Sequence, residues 1–152
     1  MTRRSVEHTT FAIERTFAAP PARVFAAWSH EDLKRRWSSC HGDSLEVEYH
    51  LDFRVGGTEL NRASDAEGPV HVYEAWFLDI VPDQRIIYAF DMYLRKTRLS
   101  ASLATVVFVP AGSGTAMTFT EQVAILDGYD LKPRISGTGE GFDRLKAFVE
   151  SG

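Results

Sequence analysis

Residues 45–54 alternate without a break. Leu45, Val47, Tyr49, Leu51 and Phe53 are apolar, while Glu46, Glu48, His50, Asp52 and Arg54 are polar. Successive strand side chains point to opposite faces, so this stretch predicts a half-buried β-strand. Residues 9–17 read the same way, with Phe11, Ile13 and Phe17 on one face. Ala19-Pro20-Pro21 ends that strand, and proline is tolerated in the first turn of a helix. Val24, Phe25 and Trp28 then share one helical face. Leu33 and Trp37, four apart, mark a second short helix, which Ser29 can cap with Asp32 three residues on.

Gly56-Gly57 reads as a positive-φ turn. Strands are predicted over 58–62, 70–81, 85–93, 99–109 and 115–123, with a loop at 64–69. Pro82-Asp83 and the stretch Pro110 to Gly114 supply turns. Gly137-Thr138-Gly139-Glu140-Gly141 reads as a loop entering the last helix, because it lacks the Lys-Ser/Thr of a phosphate loop. Phe142, Leu145, Phe148 and Val149 then form a stripe with a period of about 3.6. About six or seven hairpin-linked strands with helices on one face predict an α+β fold. The expected form is a curved antiparallel sheet around a long C-terminal helix, with two short helices after the first strand. Residues 1–8 read as a polar tail and 9–152 as one domain.

Composition narrows the function classes. A chain of 152 residues, 44% hydrophobic, can bury one core. The net charge is -4, and the densest basic stretch is only Arg95, Lys96 and Arg98, which argues against nucleic acid. No window approaches the roughly 18 apolar residues of a membrane span. The first ten residues lack the apolar run of a signal peptide, and the lone Cys40 cannot close an internal disulfide. A cytoplasmic location is therefore expected. The five histidines sit in scattered elements without paired metal-ligand spacing, so no metal and no cofactor are expected. Cys40-His41 reads as an exposed loop pair, since adjacent side chains seldom aim at one point.

Several motifs occur in a familiar order. They are Phe17-Ala18-Ala19-Pro20-Pro21-Ala22-Arg23-Val24-Phe25-Ala26-Ala27-Trp28, Leu33 through Trp37, Asp52-Phe53-Arg54-Val55-Gly56-Gly57, and the proline turn and strand from Ile80 to Tyr88. Gly114-Thr115 and Gly141-Phe142 with Leu145 complete the set. Together they resemble the START-like (SRPBCC) superfamily, in the branch named after the C-terminal domain of activators of the 90-kDa heat-shock protein ATPase. The likeness runs from about residue 9 to 151. It implies a helix-grip fold with a ligand cavity. It implies little about chemistry, because that superfamily includes binding proteins and polyketide cyclases. The branch often carries a second tryptophan where this chain has Ser38, and a proline where Cys40-His41 stands, so a more polar cavity mouth is expected.

Strand parity assigns the inner face. Ile86, Tyr88, Phe90 and Met92 share one side, as do Val106 with Phe108, and Met117 and Phe119 with Glu121. Leu78 and Ile80 place Trp76 and Glu74 inward as well. With Trp37 and Phe142 these make mostly apolar walls bearing a few polar groups, the make-up of a small-molecule pocket. The space is expected beneath residues 142–149. The candidate ligand-binding residues are Trp37, Glu74, Trp76, Tyr88, Phe90, Met92, Phe108, Met117, Phe119, Glu121 and Phe142. Glu121 is the candidate general acid or base, since burial raises a carboxyl pKa. The favoured function is binding of a small apolar or amphipathic molecule without chemistry. A cyclase- or dehydratase-like enzyme using Glu121 with Tyr88 comes second, and a chaperone-ATPase regulator third. A sheet edge, or an exposed Phe77 or Tyr73, offers a route to a homodimer.

Overall fold

The alternating segments build one seven-stranded sheet. A computed structural model of the chain describes residues 3–38, 45–64 and 70–151. The strands are β1 (Val6–Phe17), β2 (Leu45–Leu51), β3 (Thr58–Ser64), β4 (Val70–Val81), β5 (Arg85–Leu94), β6 (Thr97–Ala111) and β7 (Gly114–Leu126). Helices α1 (Pro21–Ser29) and α2 (Glu31–Ser38) follow β1, and α3 (Lys132–Glu150) closes the chain. The sheet order is β1-β7-β6-β5-β4-β3-β2, every pairing antiparallel. Hairpins lay β2 through β7 side by side, and β7 then pairs with β1. The curved sheet holds α3 on its inner face.

The first strand begins at Val6, three residues earlier than the alternation suggests. The reason is a clasp: the Ser5 amide donates to Asp127 Oδ1 at 2.9 Å, and the Arg4 guanidinium pairs with the same carboxylate at 2.7 Å. Ser29 does not cap α2. Its hydroxyl donates back to the Ala26 carbonyl at 3.4 Å, and α2 starts on the His30 carbonyl instead. Gly56 does hold a positive φ of 86°. Gly57 is needed for a different reason, since a Cβ there would run into the Asp52 carbonyl oxygen.

Two expectations fail for physical reasons. In β4 the register shifts between Phe77 and Asp79, a bulge that reverses the parity of everything before it. Ala75 and Phe77 therefore point inward, at 0% and 1% exposure. Trp76 and Glu74 stand on the outer face, with Trp76 42% exposed. Phe77 is thus a core residue and offers no dimer contact. The second correction concerns α3, which starts at Lys132 and includes residues 137–141 as helix. Each interior glycine costs a helix about 1 kcal/mol, but tertiary contacts outweigh that. Leu131 packs with Val123 and Ile125 at the helix start. Gly139 lies against Arg15, whose Nη2 would be 3.3 Å from a Cβ there. Residues Cys40 and His41, and the loop stretch 65–69, lie outside the described residues.

The core is continuous around Val24, Phe25, Val106, Met117 and Leu145. Leu145 and Val149 are 0% and 2% exposed, so the second half of α3 closes on that core. Beneath Leu145 and Val149 the expected space is filled, whereas Phe142 and Arg144 border the open space, which extends back along the helix to Pro133.

Candidate functional site

Between the first half of α3 and the inward faces of β3, β4, β5 and β7 lies a pocket of about 400 Å³. Its walls are largely aromatic. Phe142 projects from α3 to within 5.1 Å of Phe119, 5.9 Å of Trp28 and 6.1 Å of Trp37, measured between ring centres. This cluster separates the pocket from the packed core. Tyr73, Tyr88 and Phe90 form the sheet side, and the exposed His71, Gly137 and Glu140 stand at the rim.

Two buried ion pairs border this aromatic space. Lys34 Nζ of α2 lies 2.6 Å from Glu59 Oε1 of β3, with both side chains at most 5% exposed. The Tyr49 hydroxyl donates to Glu59 Oε2 at 2.6 Å, and Lys34 Nζ sits 5.1 Å from the Trp28 ring and 5.7 Å from the Tyr88 ring. Arg134 Nη1 of α3 lies 3.0 Å from Glu121 Oε2 of β7. Ser102 donates to the same oxygen at 2.7 Å, and Arg134 Nη2 donates to Ser100 Oγ at 2.5 Å. A cation in the first turn of a helix opposes the helix dipole, so Glu121 compensates an unfavourable position. Burial of these charges is tolerable because each has a partner.

Satisfaction is nevertheless incomplete. Among the described residues, four buried side-chain polar atoms have no hydrogen-bond partner: Trp28 Nε1, Glu121 Oε1, Arg134 Nε and Asp91 Oδ1. The first three belong to residues that border the pocket. Native structures leave few such atoms, and each asks for an explanation.

Burial pushes the Glu121 carboxyl above its ordinary range, and the Ser102 hydrogen bond and the Arg134 charge pull it part of the way back. Burial also drives the Tyr88 phenol well up, with the Glu59 and Glu121 charges adding to the effect. The Tyr73 phenol moves the same way, chiefly through burial. The two tyrosines hydrogen-bond each other and remain neutral polar groups at neutral pH.

Of the residues singled out from the sequence, Trp37, Tyr88, Phe90, Met92, Phe119, Glu121 and Phe142 border the pocket. Phe108 and Met117 are buried in the core and do not reach it; Phe108 packs on Phe25 at 5.7 Å and on Trp28 at 6.4 Å. Glu74 and Trp76 are on the opposite face of the sheet because of the β4 bulge. Sequence reasoning passed over Lys34, Glu59, Tyr73 and Arg134. A faint signal existed for two of them. Lys34 precedes Trp37 by three, and Arg134 precedes Phe142 by eight, so each shares a helical face with an inward aromatic. Glu59 was masked by Leu60, whose apolar side chain suggests the opposite parity for β3. No group of three or more His, Cys, Asp or Glu side chains able to hold a metal occurs among the described residues. No described helix is long and apolar enough to cross a membrane.

A curved antiparallel sheet gripping a long C-terminal helix, with a pocket between them, defines a helix-grip domain of the SRPBCC kind. The chain belongs to the family described as Activator of Hsp90 ATPase homolog 1-like protein, whose sequence pattern matches residues 18–150. An uncharacterised protein from Rhizobium leguminosarum is 52% identical, with a TM-score of 0.94 over 99% of this chain and 100% of that one. The Mll3558 protein from Rhizobium loti is 44% identical, with a TM-score of 0.89 over 95% of this chain and 99% of that one. Protein CV1439 from Chromobacterium violaceum, 23% identical, shares the fold at a TM-score of 0.80, over 94% of this chain and 99% of that one. No curated protein matches the sequence.

Proposed function

We propose that the protein binds a small amphipathic molecule in the pocket between its sheet and the first half of α3. The observation that carries this reading is the pocket itself, about 400 Å³ of space walled mainly by aromatic side chains and bordered by two buried ion pairs. Mostly apolar walls with a few converging polar groups are what small-molecule sites consist of.

The test uses N-phenylnaphthylamine, an uncharged dye that fluoresces on entering apolar sites. Binding should raise the dye's emission and raise Tm with dye concentration, as linkage requires. Gly137→Phe should abolish both effects. Nothing lies within 4 Å of a Cβ at Gly137, so a bulky side chain can be accommodated at the rim and obstruct the entrance while the protein stays folded. Absence of dye binding to the unmodified protein, or unchanged binding to the folded Gly137→Phe variant, would refute the reading.

A second reading, proton transfer by Glu121, has one observation in its favour: its carboxyl is pushed above the ordinary range beside a free Oε1. It requires that a bound molecule be converted, and that Glu121→Gln stop the conversion without stopping binding.

A further inference from the structure

Lys34, Arg134 and Arg144 are the arginine and lysine side chains that border the pocket. Lys34 is matched by Glu59 and Arg134 by Glu121. The half-buried Arg144 enters no ion pair among the described residues. Its Nε donates to the Trp37 carbonyl at 3.0 Å. Trp37 lies in the last turn of α2, where carbonyls lack partners within the helix, so this bond caps α2. The bond also fixes the guanidinium, because the Trp37 indole is itself tied to the Ala27 carbonyl at 2.9 Å. Capping occupies a single N–H of a group that carries five. Those on Nη1 and Nη2 meet no acceptor among the described residues, and neither nitrogen is sealed from solvent. Nη2 lies 3.5 Å from where a Cβ of Gly141 would stand, and Gly141 borders the same pocket. Glu140 stands four residues before Arg144, a spacing at which glutamate and arginine commonly pair on a helix. Here the guanidinium turns to α2 instead. Glu140 is exposed, so water screens its charge.

We propose that the pocket takes an amphipathic monocarboxylate, whose carboxylate docks on Nη1 and Nη2 of Arg144 while its apolar body enters among the aromatic rings. This rests on the binding function proposed above and adds the chemical class of the ligand. With Nε engaged, the edge between Nη1 and Nη2 is left open, and the N–H groups along it match the two oxygens of a carboxylate. A single unmatched cation balances one negative charge, which favours a carboxylate over the dianion of a phosphate monoester. An ammonium at the same place would meet a like charge. The apolar body lies against Trp37 and Phe142, whose ring centres are 6.1 Å apart and which border the pocket with Arg144.

Four probes of one shape separate the terms: para-phenylbenzoate, biphenyl, para-phenylbenzylamine (a cation at neutral pH) and para-phenylphenyl phosphate. Affinities are measured by displacement of N-phenylnaphthylamine. Hydrogen bonds between two charged groups predict that para-phenylbenzoate binds about tenfold more tightly than biphenyl at low salt, by a margin that shrinks as salt is raised. The amine should bind more weakly than biphenyl, and the phosphate no more tightly than the benzoate. Arg144→Met keeps an unbranched stem and removes the guanidinium. In it the benzoate should lose its advantage while biphenyl binds as before. Glu140→Gln removes the carboxylate at the rim, and the benzoate should then bind at least as tightly as it does to the unmodified protein. A benzoate that binds no better than biphenyl would overturn the proposal and leave the binding function intact. Tightest binding by the amine or the phosphate would overturn it too, as would a benzoate preference that survives Arg144→Met, or weaker benzoate binding to Glu140→Gln. If Arg144→Met does not fold, the ranking of the four probes and the Glu140→Gln result decide. Failure of all probes and of the dye would remove the binding function itself.

Discussion

The Lys34–Glu59 pair gives a sharp test of how the pocket is built. In Lys34→Met the aliphatic stem is kept and the ammonium is lost. Glu59 then remains 3% exposed with the Tyr49 hydroxyl, 2.6 Å away, but without its cation 2.6 Å away. Breaking a buried ion pair from one side costs roughly 3–5 kcal/mol, because the other charge is left uncompensated. Glu59→Gln should cost less. Lys34 keeps the Trp28, Tyr88 and Phe77 rings at 5.1, 5.7 and 6.0 Å, and desolvated cation–ring contacts hold about 1–2 kcal/mol. A loss of roughly 2–3 kcal/mol is expected. With both changes together neither charge is stranded, so the double variant should be more stable than Lys34→Met alone. Urea unfolding with an unchanged slope gives the four free energies. For a chain of this size, 1 kcal/mol moves Tm by about 2–4 °C, so Lys34→Met should melt roughly 6–20 °C lower. The double-mutant cycle should show a coupling of at least about 2 kcal/mol. Costs that add to within about 0.5 kcal/mol would refute the reasoning, since they would mean that water already screens the two charges.

Other expectations follow from single positions. The β4 bulge is tested by two neighbours: Phe77→Ala should cost about 3–5 kcal/mol, and Trp76→Ser less than about 1 kcal/mol, whereas unbroken parity would reverse that order. The glycines divide in the same way. Gly57→Ala drives a methyl into the Asp52 carbonyl and should destabilise by roughly 1–3 kcal/mol, while Gly137→Ala meets nothing and should stabilise by up to about 1 kcal/mol in thermal melts. Tyr88 makes stability fall at alkaline pH. Its phenol keeps its proton in the folded state above the ordinary value of 10.0, where the unfolded chain gives it up. Its contribution is therefore complete below that pH and is lost above it, by up to about 1.4 kcal/mol per pH unit. Urea midpoints measured below and above pH 10 should diverge, and Tyr88→Phe should reduce the divergence by that amount.

Most of the sheet could be read from alternation, because one buried face imposes a period of two on the chain. The bulge could not. Ala75, Trp76, Phe77 and Leu78 are four apolar residues in a row, so parity is ambiguous where the strand slips. The start of α3 was hidden by composition. Pro133 and three glycines suggest a loop, and the contacts that hold it helical come from Arg15, Glu121 and the strands below. Seven of the aromatic, sulfur-containing or acidic residues that strand parity and helix faces single out border the pocket. The two ion pairs could not be read this way, because a lysine or arginine is ordinarily a surface residue and only its partner, distant in sequence, makes its burial tolerable. From the sequence Glu121 reads as a lone carboxylate; that it meets Arg134, thirteen residues on, depends on how β7 returns into α3.

Local preference and global fold disagree mainly around the pocket. Arg134 puts a positive charge at the positive end of the α3 dipole. Gly137 weakens that helix at a point where a larger residue would meet no neighbour. Lys34 lies beneath aromatic rings, and Glu59 and Glu121 occupy inward positions of strands. Around Val24, Val106 and Leu145, all 0% exposed, the core consists of apolar side chains in ordinary contact. Stability alone does not account for the difference, because apolar replacements of buried ion pairs are often neutral or stabilising. Departures from local consistency in natural proteins gather where a site has to do something. Here they surround one space.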